Sequence, residues 1–179
     1  LVSRAIKVHG GLRLETEKKS KFSISLRQNS ESSTSLGIAG GIPKKPLKSF
    51  SVSGTTSLET VFKAMDRVVN EILGIPGFFS GKLSYLSDLG GKKEIFTSNA
   101  LMSSASPQTS FQKITFNTSW DNEGKGLFFT SNRKIFNNVY YLDLRSRKIS
   151  TIASYKGSNL RAVQNPRTPQ LALILSASG

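Results

Sequence analysis

The side chains able to do chemistry are few in these 179 residues. There is one histidine, His9, and no cysteine, beside 25 Lys+Arg and 11 Asp+Glu that give a formal net charge of +14. The lack of cysteine excludes disulfide scaffolds, thiolate metal sites and cysteine nucleophiles. A zinc site or a Ser-His-Asp triad would rest on His9 alone. That residue adjoins Gly10-Gly11 and reads as a structural or solvent-facing position on an early strand. Neither a Gly-x-Ser-x-Gly elbow nor a Gly-x-x-x-x-Gly-Lys-Ser/Thr phosphate loop occurs. Gly37-Ile38-Ala39-Gly40-Gly41 lacks dinucleotide spacing and is followed by no helical pattern. The carboxylates of the second half are Asp88, Glu94, Asp121, Glu123 and Asp143. Asp121 and Glu123 fit a turn better than a general acid–base pair. The expectation is a protein without catalytic residues, cofactor or metal.

What remains is charge. Residues 1–79 carry 12 basic and 6 acidic side chains, and residues 80–179 carry 13 and 5. Lys44-Lys45 with Lys48, and Arg145 with Arg147 and Lys148, form small basic clusters on predicted loops and read as solvated surface. A dedicated nucleic-acid patch is usually more concentrated, so no nucleic acid is expected. A basic module for nucleic acid or an anionic surface is the alternative, and it predicts binding that falls steeply with salt. Phe78-Phe79, Phe128-Phe129 and Tyr140-Tyr141 come as pairs, which place one ring on each face of a strand and suit packing. No apolar run approaches the roughly 20 residues that span a bilayer. The opening Leu-Val-Ser-Arg-Ala-Ile-Lys is too polar for the core of a signal peptide. The chain is therefore expected to be cytosolic or to have lost its signal.

The first third alternates as strands do, through Leu12 and Leu14, then Phe22, Ile24 and Leu26, with Glu17-Lys18-Lys19-Ser20 as turn material. Asn29 to Pro46 is rich in Ser, Gly, Lys and Pro and reads as a long loop, after which Lys48, Phe50 and Val52 suggest another strand. Thr56-Ser57-Leu58-Glu59 is a capping-box pattern. Leu58, Val61, Phe62, Met65, Val68, Val69 and Ile72 follow at helical spacing, and Gly74 and Pro76 stop the helix. This helix is expected to lie on the preceding strands, with Phe62 and Met65 in the core.

Beyond Pro76-Gly77 the pattern becomes short strands with a repeat. Ser87, Ser131 and Ser176 each end an apolar run, at spacings of 44 and 45 residues. Ile95-Phe96 and Val139-Tyr140 are 44 apart, as are Ser110-Phe111 and Ser154-Tyr155. Such a period, filled by about four short strands, signals a propeller blade. Within it, Thr118-Ser119-Trp120-Asp121-Asn122-Glu123-Gly124-Lys125 precedes the strand Leu127-Phe128-Phe129-Thr130. It resembles the Pro-x-Trp-Ser-Pro-Asp-Gly-Lys signature of the TolB-type propeller repeat, in which the aromatic packs between blades and the acidic-Gly pair makes a tight turn. Trp120, Glu123, Gly124 and Lys125 match, while Asp121 and Asn122 depart from Ser-Pro. The next copy, Arg161 to Thr168, keeps only Pro166.

The order of features also resembles the TolB family: a helix through Leu73, the junction Gly74 to Gly81, the strand ending Ser84-Tyr85-Leu86-Ser87, and later Ala153-Ser154-Tyr155-Lys156-Gly157-Ser158-Asn159. The resemblance runs from about Ile6 to Gly179. It implies a mixed α/β part over residues 1–75, with strands and one long helix packed on them. An all-β partial propeller over residues 76–179 follows, two repeats of a six-bladed ring. Two blades cannot close a ring, so a piece of a longer protein is expected. The family implies a non-enzymatic periplasmic adaptor of the Tol–Pal system. Such adaptors support outer-membrane integrity and invagination during division. They bind the peptidoglycan-associated lipoprotein Pal at the propeller, and TolA through an N-terminal segment that this chain lacks. Partner-contact loops would be Asp88–Lys93, Asn132–Asn137 and Asn159–Gln164, with Asp88, Lys92, Lys93, Arg133, Lys134, Asn159 and Arg161 as contact residues. The rival is the gating propeller of a prolyl-oligopeptidase-like serine peptidase, which uses similar repeats.

Overall fold

The computed structural model describes residues 1–88 and 91–177. They form two helices and twelve strands, and the chain divides into two compact units. One comprises residues 1–82 with 99–103, the other residues 83–98 with 104–179.

In the first unit, β1 (Phe22–Ser30), β2 (Ser33–Gly40) and β3 (Lys45–Ser53) make an antiparallel meander. The register aligns Leu26, Leu36 and Phe50 in one row and Ile24 with Ile38 in the next. Helix α2 (Ser57–Leu73) lies on this face. Its Ala64 and Val68 meet Leu36 and Ile38, while Phe62, Met65 and Val69 turn the other way. There they enclose Phe79 and Leu101 together with Ala5 and Ile6 of α1 (Val2–Val8). The helix begins as its sequence dictates. Thr56 Oγ1 accepts the Glu59 amide, and Gly74 ends the helix in the left-handed conformation, φ 69°, which a residue with a Cβ adopts at a cost. The reciprocal bond is shifted by one residue, because the Glu59 carboxylate takes the amide and hydroxyl of Thr55.

Three expectations fail in this unit. The stretch read as a loop contains β2, the central strand. Its inward positions Thr34, Leu36 and Ile38 are buried, but Ser and Gly fill the outward ones and mask the alternation. A Cβ at Gly37 would meet Ser25 Oγ at 2.6 Å and turn that hydroxyl aside. Leu12 and Leu14 form no strand, and His9 is the C-cap of the unanticipated α1. Phe78 and Phe79 lie in no strand either: Phe79 is fully buried, and Phe78 stacks on His9 at 5.5 Å.

The second unit is all β. Strands β7 (Thr115–Trp120), β8 (Gly126–Ser131), β9 (Asn138–Asp143) and β10 (Ile149–Ala153) form a four-stranded antiparallel meander. Before it comes the sheet of β4 (Lys82–Ser87), β5 (Glu94–Asn99) and β6 (Ser106–Pro107), and after it the hairpin β11 (Gly157–Gln164) and β12 (Leu171–Ala177). The period is visible in the strands: β8 and β9 each start 44 residues after β4 and β5. Where two repeats were expected, three successive sheets stand, of which one has four strands.

Alternation explains the stacking. On β8 and β9, Leu127, Phe129, Tyr140 and Leu142 point to one face, where Ile95 of β5 and the half-buried Trp120 join them. Phe128, Val139 and Tyr141 point to the other, against Ala153, Ala162 and Leu171. The paired aromatics thus pack both faces of one sheet. Bulges also recur: β7 breaks register between Phe116 and Ser119, and β11 between Asn159 and Arg161. The second frees the Leu160 carbonyl from the ladder, and it accepts from Asn117 Nδ2 at 2.8 Å and Thr130 Oγ1 at 2.6 Å.

Candidate functional site

The motif turn joins β7 to β8. The Asp121 amide donates to the Gly126 carbonyl at 3.0 Å, and the Gly124 amide to the Asp121 carbonyl at 3.2 Å, with Gly124 at φ 64°. The Asp121 carboxylate is fully employed. Oδ1 accepts the Lys125 amide at 2.9 Å, and Oδ2 accepts the Tyr141 hydroxyl at 2.7 Å. Burial and this carboxylate hold the Tyr141 hydroxyl well above its ordinary pKa, because both disfavour a phenolate. Gly126 leaves room for the ring, as a Cβ there would lie 2.2 Å from the Tyr141 hydroxyl. Glu123 pairs with Lys125 at the surface and raises its ammonium pKa. Asp143 is lowered chiefly by the amide and hydroxyl of Ser146 in the β9–β10 turn. These carboxylates hold turns together and are poorly placed to move protons.

The degenerate second copy keeps the closing backbone bond but offers its side-chain oxygen to a different amide. The Asn165 amide donates to the Gln170 carbonyl at 2.9 Å, as Asp121 does to Gly126, and its Oδ1 accepts the Arg167 amide at 2.9 Å. Pro166 is exposed in this turn. The two turns are also linked, since the Asn122 amide donates to Gln164 Oε1 at 2.9 Å and its side chain to the Asn165 carbonyl.

The contact residues separate by placement. Asp88, Lys92 and Lys93 are exposed between β4 and β5; residues 89 and 90 of that loop, like 178 and 179, lie outside the described residues. Arg133 and Lys134 are exposed between β8 and β9, and the Arg133 guanidinium sits 4.5 Å above the Phe111 ring. Residues 159–164 are strand β11, where a loop was expected, and they carry Arg161 exposed. Asn159 is 1% exposed. Its Nδ2 donates to the carbonyls of Asn137 and Tyr155 and its Oδ1 accepts the Tyr155 amide, so it brackets the backbone and presents nothing to a partner.

Elsewhere, His9 is 7% exposed and its Nδ1 accepts the Gly11 amide. Glu94 is buried, with one oxygen on Thr109 Oγ1 and the other on the Gln112 amide. Among the described residues no cluster of His, Asp and Glu could hold a metal ion, and no helix is long and apolar enough to cross a membrane. A residue missed in the sequence is Asp66. From α2 its carboxylate accepts the amides of Phe79 and Ser80, at 2.6 and 2.9 Å, and fixes the junction to the helix. Nothing in the sequence sets it apart from the other charged residues of the helix, Glu59, Lys63, Arg67 and Glu71.

The chain has counterparts among known proteins. No family profile matches the chain. The Tol-Pal system protein TolB of Desulfosudis oleivorans is 29% identical over 114 residues, which cover 63% of this chain and 25% of that protein. In sequence the chain is similar to a TolB protein. The crystal structure of TolB from Acinetobacter baumannii superposes with a TM-score of 0.74 at 16% identity, covering 88% of this chain and 41% of that one. That second likeness is one of fold: antiparallel sheets with two helices. The chain thus spans about a quarter of the length of its curated TolB relative.

Proposed function

We propose that the chain is part of a non-enzymatic, periplasmic adaptor of the Tol–Pal system, acting by binding proteins. The observation that carries this reading is the four-stranded sheet β7–β10, closed by the Asp121 turn and packed on both faces by the sheets one repeat away, in a TolB relative. Radial stacking of such sheets is what a propeller requires, so residues 76–179 are read as propeller blades and residues 1–75 as an α/β part. The partners proposed are a Pal-like lipoprotein at the propeller and a TolA-like protein. The exposed cations Lys92, Lys93, Arg133 and Lys134 lie on equivalent β4–β5 and β8–β9 connections, and such repetition supports them as contacts. The exposed Asp88 and Arg161 are proposed as further contacts.

The reading is tested in cells by deleting the gene. Loss should cause leakage of periplasmic enzymes and detergent sensitivity, both restored by the intact gene. A deletion strain with an intact permeability barrier would overturn it.

A further inference from the structure

Two segments of the first unit gather cations around an aliphatic tip. Residues 17–22 carry Lys18, Lys19, Lys21 and Phe22, and the turn after β2 carries Ile42, Pro43 and Lys44, with Lys45 and Leu47 next on β3. The segments are fastened by Lys44, whose Nζ donates to the Glu17 carbonyl at 2.7 Å and to Ser20 Oγ at 2.6 Å. Together they line one cleft of about 640 Å³. Ile42 is 95% exposed, Leu47 57% and Phe22 38%, although each is a side chain that folding ordinarily hides. Glu17 is the only carboxylate in the two segments.

We propose that this tip docks on the surface of an anionic phospholipid bilayer. Ile42 and Leu47 enter the boundary between headgroups and acyl chains, and Lys18, Lys19, Lys21 and Lys45 meet the lipid phosphates. Both halves of the patch are then used: an apolar group gains by leaving water, and each lysine near an anionic leaflet strengthens attachment. A nucleic acid or a free phosphate would engage the lysines but leave Ile42 and Leu47 in water. The net charge of +14 favours any anion, whereas this patch selects one that has an apolar interior behind it.

The test is co-sedimentation of the 179-residue chain with vesicles of equal parts phosphatidylglycerol and phosphatidylcholine, and with pure phosphatidylcholine. Binding is expected to the first, at least about tenfold stronger than to the second. Converting Lys18, Lys19, Lys21 and Lys45 to Gln should lower partitioning by roughly six-hundredfold, from a loss of about fivefold per lysine. The same change at the exposed Lys7, Lys82, Lys113 and Lys156 should lower it only a few-fold. Ile42→Ser with Leu47→Ser should cost about tenfold. In Ile42→Trp, which keeps the tip apolar, the added indole should shift its emission to the blue on anionic vesicles only. Equal losses from both lysine sets, indifference to Ile42 and Leu47, displacement by inorganic phosphate at constant ionic strength, or tighter binding to a DNA duplex that ignores Ile42 would each overturn the proposal.

Discussion

At the residue scale, one acceptor position defines the repeated turn. Asp121 and Asn165 stand 44 residues apart, and each closes its hairpin by its own amide and offers Oδ1 to a following amide. Asp121→Asn should therefore change stability by less than about 1 kcal/mol. Asp121→Ala strands the Lys125 amide and the Tyr141 hydroxyl and should cost about 2–3 kcal/mol by urea unfolding. Equal effects of the two substitutions would contradict this role. Gly126→Ala should cost a similar amount, about 2 kcal/mol, because the new methyl and the hydrogen-bonded Tyr141 ring cannot share the space. The turn at Asn165 escapes sequence matching because its geometry asks only for a carbonyl-type oxygen at one position, and the Gly of the signature is dispensable there. Asn159 misleads in the opposite way: a polar residue in a Gly-Ser-Asn run looks like surface, yet its side chain replaces backbone partners inside the fold.

At the element scale, α2 was legible because its determinants are local. Cap, stripe and stop lie within 19 residues, and the structure uses all of them. β2 was not, since its partners are distant in sequence and its outward face is Ser and Gly. Helix α1 has 7 residues, too few to display a period. The start of α2 also gives a pH dependence. The Lys63 ammonium, then the Thr55 hydroxyl and amide, hold the Glu59 carboxyl down at about 2. A depressed carboxyl contributes stability above its unfolded pKa of about 4.3 and loses it as pH falls through the folded value. Helicity monitored by circular dichroism should thus decline between about pH 4 and pH 2, and Glu59→Gln should remove that part of the decline. An unchanged acid limb in Glu59→Gln would refute the assignment. Two turns further along the helix, Asp66→Ala should release the junction. The amides of Phe79 and Ser80 should then exchange with solvent at least about tenfold faster, while amides in β8 and β9 stay protected.

At the scale of the whole molecule, the repeat was readable as a period before any strand was placed, because 44-residue spacing recurs in serines, aromatics and apolar runs alike. How many sheets it makes was not readable. The hairpin β11–β12 lacks the signature's Trp and Gly, and β4–β6 lacks the motif altogether. Stacking restores the order that single motifs conceal: one sheet's aromatics alternate between two neighbours, so each repeat covers the next. Such a surface suits binding more than chemistry, and its cations fall on the β4–β5 and β8–β9 connections, which start from strands 44 residues apart. The central claim, an adaptor of the Tol–Pal system, is tested most directly by calorimetric titration of the soluble domain of the Pal-type lipoprotein into the natural full-length protein. Saturable one-to-one binding should appear, weakened about tenfold or more by Lys92→Ala, Lys93→Ala, Arg133→Ala and Lys134→Ala combined; absence of binding, or full affinity in that variant, would contradict the account.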